Sequence, residues 1–205
     1  GAHVDKASKH GSTPLYVAAQ EGMVDVAVAL AKGGADVDKA DKYGCTPLYV
    51  AAYEGMVDVA VALIKAGADV DKANEDGVTP LYAATHEGMV DVAVALIKAG
   101  ADVDKANNNG VTPVFAAAQK GMVHVADALI KAGVDVDKAD KYGYTPLYVA
   151  AQEGMVDVAV ALIKAGADVD KASADGHTPL FAAAQEGKVN VADALIKAGA
   201  DVGKA

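Results

Sequence analysis

The segment TPLYVAAQEGMVDVAVALIKAGADVDKA, residues 145–172, decides the fold because it returns along the chain with few changes. Its opening Thr-Pro stands at Thr13, Thr46, Thr79, Thr112, Thr145 and Thr178, every 33 residues without a slip. A fixed period of this length, kept from Asp5 to Val202, makes the repeat itself the fold. Read physically, the Thr13 hydroxyl caps a helix whose first residue, Pro14, has no N–H to leave unsatisfied. Leu15, Tyr16, Val17, Ala18 and Ala19 supply its buried side, and Gly22 ends it in the left-handed conformation. Val24, Val26, Ala27 and Leu30 then recur at three- and four-residue spacing. They predict a second amphipathic helix with Asp25 outward and Lys32 near the negative end of its dipole, closed by Gly33 and Gly34. The following stretch is rich in Asp, Lys and Gly, and Gly11, Gly44, Gly77, Gly110, Gly143 and Gly176 hold one turn position that calls for positive φ. It reads as an extended, hairpin-like finger.

Isolated helices shorter than about 12 residues are marginal in water, so neither helix stands alone and the units must stack on their neighbours. The chain has 53% apolar residues, too many for a disordered segment. It carries a net charge of −10, and all 18 basic residues are Lys. Nucleic-acid binding, which wants a basic face and often the guanidinium fork, is therefore disfavoured. The single cysteine, Cys45, leaves no intrachain disulfide and no Cys-rich zinc module, and it points to a reducing, cytoplasmic or similar intracellular medium. No apolar run approaches the roughly 20 residues of a membrane span, and no secretory leader pattern opens the sequence, so no membrane partner is expected.

Units reading G-x-TPL-x-x-AA-x-x-G, followed by a helix and GADV, resemble ankyrin repeats over nearly the whole chain. The resemblance implies an all-α ankyrin-repeat solenoid of stacked helix-turn-helix pairs with projecting β-turn fingers. It also implies a concave finger and first-helix surface that binds proteins. One domain over 1–205 is expected, with repeats at approximately 5–37, 38–70, 71–103, 104–136, 137–169 and 170–202. The sequence departs from the family pattern in three places. The family's usual His of TPLH is Tyr16, Tyr49, Tyr82, Phe115, Tyr148 or Phe181, so its hydrogen bond is lost or remade and aromatic packing replaces it. The usual Asn after GADV is Asp38, Asp71, Asp104, Asp137 or Asp170, an acceptor that cannot donate when ionised, which predicts sensitivity to acid. On the second helix Val28, Val61, Val94 and Val160 stand where the family commonly has Glu, and Met23, Met56, Met89, Met122 and Met155 fall at a usually polar position. Cover by adjacent repeats is the simpler reading of these apolar residues, and a lateral self-association surface the sharper one.

Positions that differ between copies are those the shared fold does not dictate. Residues 38–70 and 137–169 differ at two of 33 positions, Cys45 against Tyr144 and Tyr53 against Gln152, both on the expected partner-facing side. Six of the ten Tyr and Phe occupy the TPLY position, read as core, and the other four are Tyr43, Tyr53, Tyr142 and Tyr144. Tyrosine anchors interfaces through large area and little rotamer entropy, so these four are the expected hot spots. The expected partner-binding set is Lys42, Tyr43, Cys45 and Tyr53; Asp76, Val78 and His86; Asn109, Val111 and Gln119; Lys141, Tyr142, Tyr144 and Gln152; and Asp175 and His177. This mixed, concave chemistry suits a protein or extended peptide better than a small metabolite, which wants one closed apolar pocket.

No metal, cofactor or catalytic residue is expected. The Asp36 and Asp38 pair lacks the further ligands of an EF-hand loop, since Ala40, Asp41 and Pro47 occupy positions 5, 6 and 12. These carboxylates read as solvated loop groups paired with Lys39 and Lys42. The five His residues fall at unrelated repeat positions. Cys45, beside Tyr43 and near Lys42, is expected to be modestly reactive without making an enzyme. The end units carry only light polar edits, such as Lys188 and Gly203, which fits either a piece of a longer array or an engineered consensus-type array. The sequence thus predicts a noncatalytic protein-interaction scaffold. A structural spacer or weakly self-associating array is the alternative.

Overall fold

The computed structural model describes residues 4–204, and among these it contains twelve α-helices and no strand. Contacts gather the chain into two compact units, residues 1–102 and 103–205, with three helix pairs in each. The first unit holds α1 (Pro14–Gln20), α2 (Val24–Lys32), α3 (Pro47–Tyr53), α4 (Val57–Lys65), α5 (Pro80–His86) and α6 (Val90–Lys98). The second holds α7 (Pro113–Lys120), α8 (Val123–Lys131), α9 (Pro146–Glu153), α10 (Val156–Lys164), α11 (Pro179–Gln185) and α12 (Val189–Lys197). Within each unit the two helices of a repeat pack on each other. The first helices stack in one layer, α1·α3·α5 or α7·α9·α11, and the second helices in another, α2·α4·α6 or α8·α10·α12.

Every first helix begins as the Thr-Pro pattern requires. Thr46 adopts extended φ and ψ, its Oγ1 accepts the Tyr49 N–H at 3.0 Å, and Pro47 fills the first helical position. The second helices have no side-chain cap, and Met56, Met89, Met122 and Met155 stand at the N-cap of α4, α6, α8 and α10. These methionines serve a different contact. A Cβ built on Gly55 would lie 2.5 Å from Met89 Sδ, and one on Gly121 would lie 2.6 Å from Met155 Sδ. The thioethers of Met56, Met89 and Met155 therefore lie against Gly22, Gly55 and Gly121, the bare glycines that end the preceding first helices, a use suited to a flexible, polarizable side chain. The aliphatic stem of Lys188 takes the same place over Gly154. Cover by the neighbouring repeat, the simpler of the two readings, accounts for Met56, Met89 and Met155, whereas Met23 is 49% exposed.

The core is thin and small-residue rich. Leu48, Leu81, Leu147, Leu96 and Leu162 are fully buried among alanines such as Ala52, Ala84 and Ala151. Alanine lets helix backbones approach closely, so two layers of short helices suffice to exclude water. Val59 is 1% exposed where its counterpart Val26, at the edge of the first unit, is 46% exposed, because only the former is covered by a repeat on each side. Among the described residues no helix is long and apolar enough to cross a membrane.

A second ladder runs along the loops. The Asp38 carboxylate accepts the Asp69 N–H at 3.0 Å, Asp71 accepts that of Asp102 at 2.9 Å, and Asp137 accepts that of Asp168 at 3.1 Å. Asp36 Oδ1 meanwhile takes the Asp38 N–H of its own turn at 3.0 Å. These loop carboxylates are thus not simply solvated groups balanced by Lys39 and Lys42, as their composition implies. Their oxygens satisfy backbone donors that the turn would otherwise leave unpaired. The inter-repeat bridge needs only an acceptor, so Asp serves where the family has Asn. Lys72 and Lys171 complete the joint by donating from Nζ to the carbonyls of Asp38 and Asp137, at 3.0 and 2.8 Å.

Candidate functional site

The finger is a closed turn held by its own first side chain. Asp41 Oδ1 accepts the N–H groups of Tyr43 at 2.9 Å and Cys45 at 3.0 Å, and Asp140 does the same for Tyr142 and Tyr144, both at 2.9 Å. Successive fingers are joined through the backbone, Glu75 N–H to the Tyr43 carbonyl at 3.1 Å and Ala174 N–H to the Tyr142 carbonyl at 3.0 Å. That approach needs glycine at the turn. Gly143 has φ +82°, and a Cβ there would lie 2.7 Å from the Ala174 nitrogen. The fingers are therefore hydrogen-bonded turns rather than paired strands.

Those tips are aromatic and cationic. Tyr43 is 58% and Tyr142 57% exposed, with Lys42 Nζ 4.7 Å from the first ring centroid and Lys141 Nζ 5.1 Å from the second. Lys141 Nζ also donates to Asn109 Oδ1 at 2.7 Å. Tyr53, at the end of α3, is 44% exposed. Asp76, Asn109, Gln119, Gln152 and Asp175 are exposed, and Val78 and Val111 are half-buried. The first unit thus brings together Lys42, Tyr43, Cys45, Tyr53, Asp76, Val78 and His86, and the second Asn109, Val111, Gln119, Lys141, Tyr142, Tyr144, Gln152, Asp175 and His177.

Three expected site residues are partly occupied by packing within the chain. Tyr144 stacks on Tyr148 with ring centroids 4.5 Å apart, and His177 stacks on Phe181 at 4.2 Å. His86 lies parallel to Tyr82 with centroids 6.0 Å apart and has Nδ1 2.7 Å from Glu87 Oε1. The aromatic position of TPLY is likewise not uniformly core. Phe115 and Tyr148 are buried, but Tyr16, Tyr49, Tyr82 and Phe181 are half-buried and form part of the presented face. Burial pushes the Tyr16 and Tyr49 hydroxyls up to about 12. The Asp41 carboxylate adds to this at Tyr16, through charge and a hydrogen bond, while Cys45, Tyr53, Asp76 and Glu87 add to it at Tyr49. The size of the residue four positions upstream does not predict this exposure, since Val78 and Val111 are identical yet Tyr82 is half-buried and Phe115 buried.

Cys45 corrects another expectation. Partial burial, followed by the charge of Asp41, raises its thiol above the usual value, so the nearby Lys42 does not activate it. Asn74 Nδ2 lies 3.9 Å from its sulfur. Among the described residues no group of three or more His, Cys, Asp and Glu is arranged to hold a metal ion. On the opposite face, Val24, Val28, Val61 and Ala62 line an open furrow of about 790 Å³ between α2 and α4.

Comparison with known proteins follows this geometry. A family model described as ankyrin repeats (3 copies) matches residues 1–74, 62–140, 81–173 and 134–205. The crystal structure of an ankyrin repeat domain from Acinetobacter baumannii AYE is similar at a TM-score of 0.86 and 31% identity, over 92% of this chain and 98% of that one. No curated protein matches the chain. Ankyrin repeats are in general noncatalytic protein-interaction modules. With Thr-capped first helices, glycine-hinged fingers and matches that span its length, the chain belongs to the ankyrin-repeat family.

Proposed function

We propose that the chain is a noncatalytic recognition scaffold that holds a protein or peptide partner against the finger and first-helix face of its units. The observation that carries this reading is the pair Tyr43 and Tyr142. Two large rings stand more than half exposed at the tips of turns that are already fully hydrogen-bonded. Aromatic side chains carried on a pre-ordered turn spare the cost of ordering that turn on binding, and they contribute disproportionately to interfaces. Lys42, Cys45, Tyr53, Asp76, Val78 and His86 extend the surface in the first unit. Asn109, Val111, Gln119, Lys141, Tyr144, Gln152, Asp175 and His177 extend it in the second. The test is affinity capture with the full chain and with Tyr43→Ala, Tyr142→Ala and the double variant. A partner retained by the parent and lost by the double variant supports the reading. Retention unchanged in the double variant refutes it.

A second reading has its own observation, the apolar furrow between α2 and α4 with Val61 at its wall. In that reading the array associates weakly with itself through the second helices. Sedimentation velocity over a hundredfold concentration range checks it, since Val61→Glu with Val94→Glu then abolishes any concentration-dependent species.

A further inference from the structure

The recognition role proposed above is the basis for a more specific statement about the first unit. Its three first helices are capped at their C-terminal ends by Glu21, Glu54 and Glu87, equivalent positions that form an acidic column where α1, α3 and α5 stack. The matching positions at the C-terminal ends of α7, α9 and α11 hold Lys120, Glu153 and Glu186. Between the column and the fingers runs a row of tyrosine rings. Tyr49 is half-buried, Tyr53 is 44% exposed one residue before Glu54, and the carboxylates of Asp76 and Glu87 both act on the Tyr49 hydroxyl. Glu87 is held in place by His86 Nδ1 at 2.7 Å.

Aromatic faces bordered by carboxylates have a definite complement. A ring face attracts cations through its quadrupole, and flanking carboxylates supply the hydrogen-bond acceptors that an ammonium or guanidinium group needs. The chain already displays this affinity, since Lys42 places its own ammonium over the ring of Tyr43 on the same face. An acidic or phosphorylated partner meets repulsion there, and a purely apolar one leaves the carboxylates desolvated without partners.

We propose that the first-helix face of the first unit docks an extended, Lys- and Arg-rich segment of a partner protein, with one basic side chain lying over Tyr53 among Glu54, Asp76 and Glu87. The segment is extended because the row of rings follows the stacking direction of the helices, so successive side chains meet successive repeats. The corresponding place in the second unit keeps its carboxylates, with Asp175 and Glu186 acting on Tyr148, but has Gln152 instead of Tyr53 and so lacks the exposed ring that the basic side chain needs.

The probe is a fluorescein-labelled twelve-residue peptide alternating Lys or Arg with Gly and Ser, compared with its Glu counterpart by fluorescence polarisation against the full chain. A random twelve-residue displayed library is selected on the same protein. The basic peptide binds, the acidic one does not, and affinity falls with added salt. Tyr53→Ala weakens binding about fivefold and Asp76→Asn with Glu87→Gln about tenfold at low salt. Glu153→Gln with Glu186→Gln, which changes net charge equally in the second unit, leaves it unchanged. Circular dichroism confirms that each variant remains folded. Equal losses from the two charge pairs would mean diffuse attraction and overturn the inference. Selection of acidic or apolar peptides that Tyr53→Ala abolishes would overturn it while leaving the recognition role standing. A library yielding no binder would count against both.

Discussion

The ring of Tyr144 lies on that of Tyr148, centroids 4.5 Å apart, and at the same place one hundred residues earlier, less one, Cys45 precedes Tyr49. The two repeats share 31 of 33 residues, yet Tyr148 is buried and Tyr49 half-exposed. Tyr144 therefore covers Tyr148 where the smaller Cys45 leaves Tyr49 open, although finger size does not decide burial alone, since Phe181 stays half-buried under His177. Replacing Tyr144 by Cys should expose Tyr148 and lower stability by about 1 kcal/mol, the usual worth of a stacked aromatic pair. Urea unfolding measures the loss, and Cys45→Tyr should produce the opposite change.

Gly55 and Gly67 separate backbone strain from packing. Both have positive φ, +75° and +91°, but a Cβ on Gly55 meets Met89 Sδ whereas one on Gly67 meets nothing within 4 Å. Gly67→Ala should cost about 1 kcal/mol, the left-handed penalty alone. Gly55→Ala should cost roughly 1–3 kcal/mol more through overpacking. Trimming Met89 to Ala in the Gly55→Ala background should recover part of that extra cost in denaturant titrations.

Alkali should destabilise the fold in a defined window. The Tyr16 and Tyr49 hydroxyls titrate near 12 when folded against the usual 10 when unfolded. Below pH 10 both states keep the proton and these groups have no effect. Between about pH 10 and 12 the unfolded chain loses protons that the folded one retains, so stability falls as pH rises. Thermal melts at pH 9, 10.5 and 11.5 should show a progressive decrease. Burial also raises the Tyr82 and Tyr148 hydroxyls, so Tyr16→Phe with Tyr49→Phe should lessen the decrease without removing it, and tyrosinate absorbance should show more than these two residues ionising late.

The carboxylate bridge between repeats can be tested at one joint. Asp38→Ala removes the acceptor of the Asp69 N–H and should cost about 0.5–1.5 kcal/mol. Asp38→Asn retains a side-chain oxygen and should cost less. Amide hydrogen exchange at Asp69 should accelerate in the first variant while distant helix amides are unaffected.

Burial alone should separate Val59→Ala from Val26→Ala, equivalent residues at 1% and 46% exposure. The first should lose about 2 kcal/mol through transfer and cavity terms. The second should change stability by less than about 0.5 kcal/mol, as exposed substitutions usually do.

The helix pairs were legible because their signals are local. Thr-Pro fixes each first-helix start, glycine fixes each stop, and apolar spacing gives the buried face of α4 or α10. What escaped the sequence depends on neighbours in the stack. Periodicity cannot reveal that Met89 reaches back over Gly55, or that Asp38 reaches forward to the Asp69 amide, because both contacts join residues about 30 apart. The exposed tyrosines at 43, 53 and 142 were readable as breaks in the pattern. Half-exposure of Tyr49 was not, since it depends on which neighbours in the stack, Cys45 among them, cover the ring.

The Asp38 to Asp69 link recurs at each joint with a separation of 31 residues, its acceptor in one period and its donor in the next. Recombination that adds or deletes a whole period restores the same handshake on either side of the seam. A change of any other length strands a carboxylate on one side and an amide on the other. Growth of such a gene is thereby quantised: selection can explore longer or shorter arrays cheaply, but only in steps that keep this register.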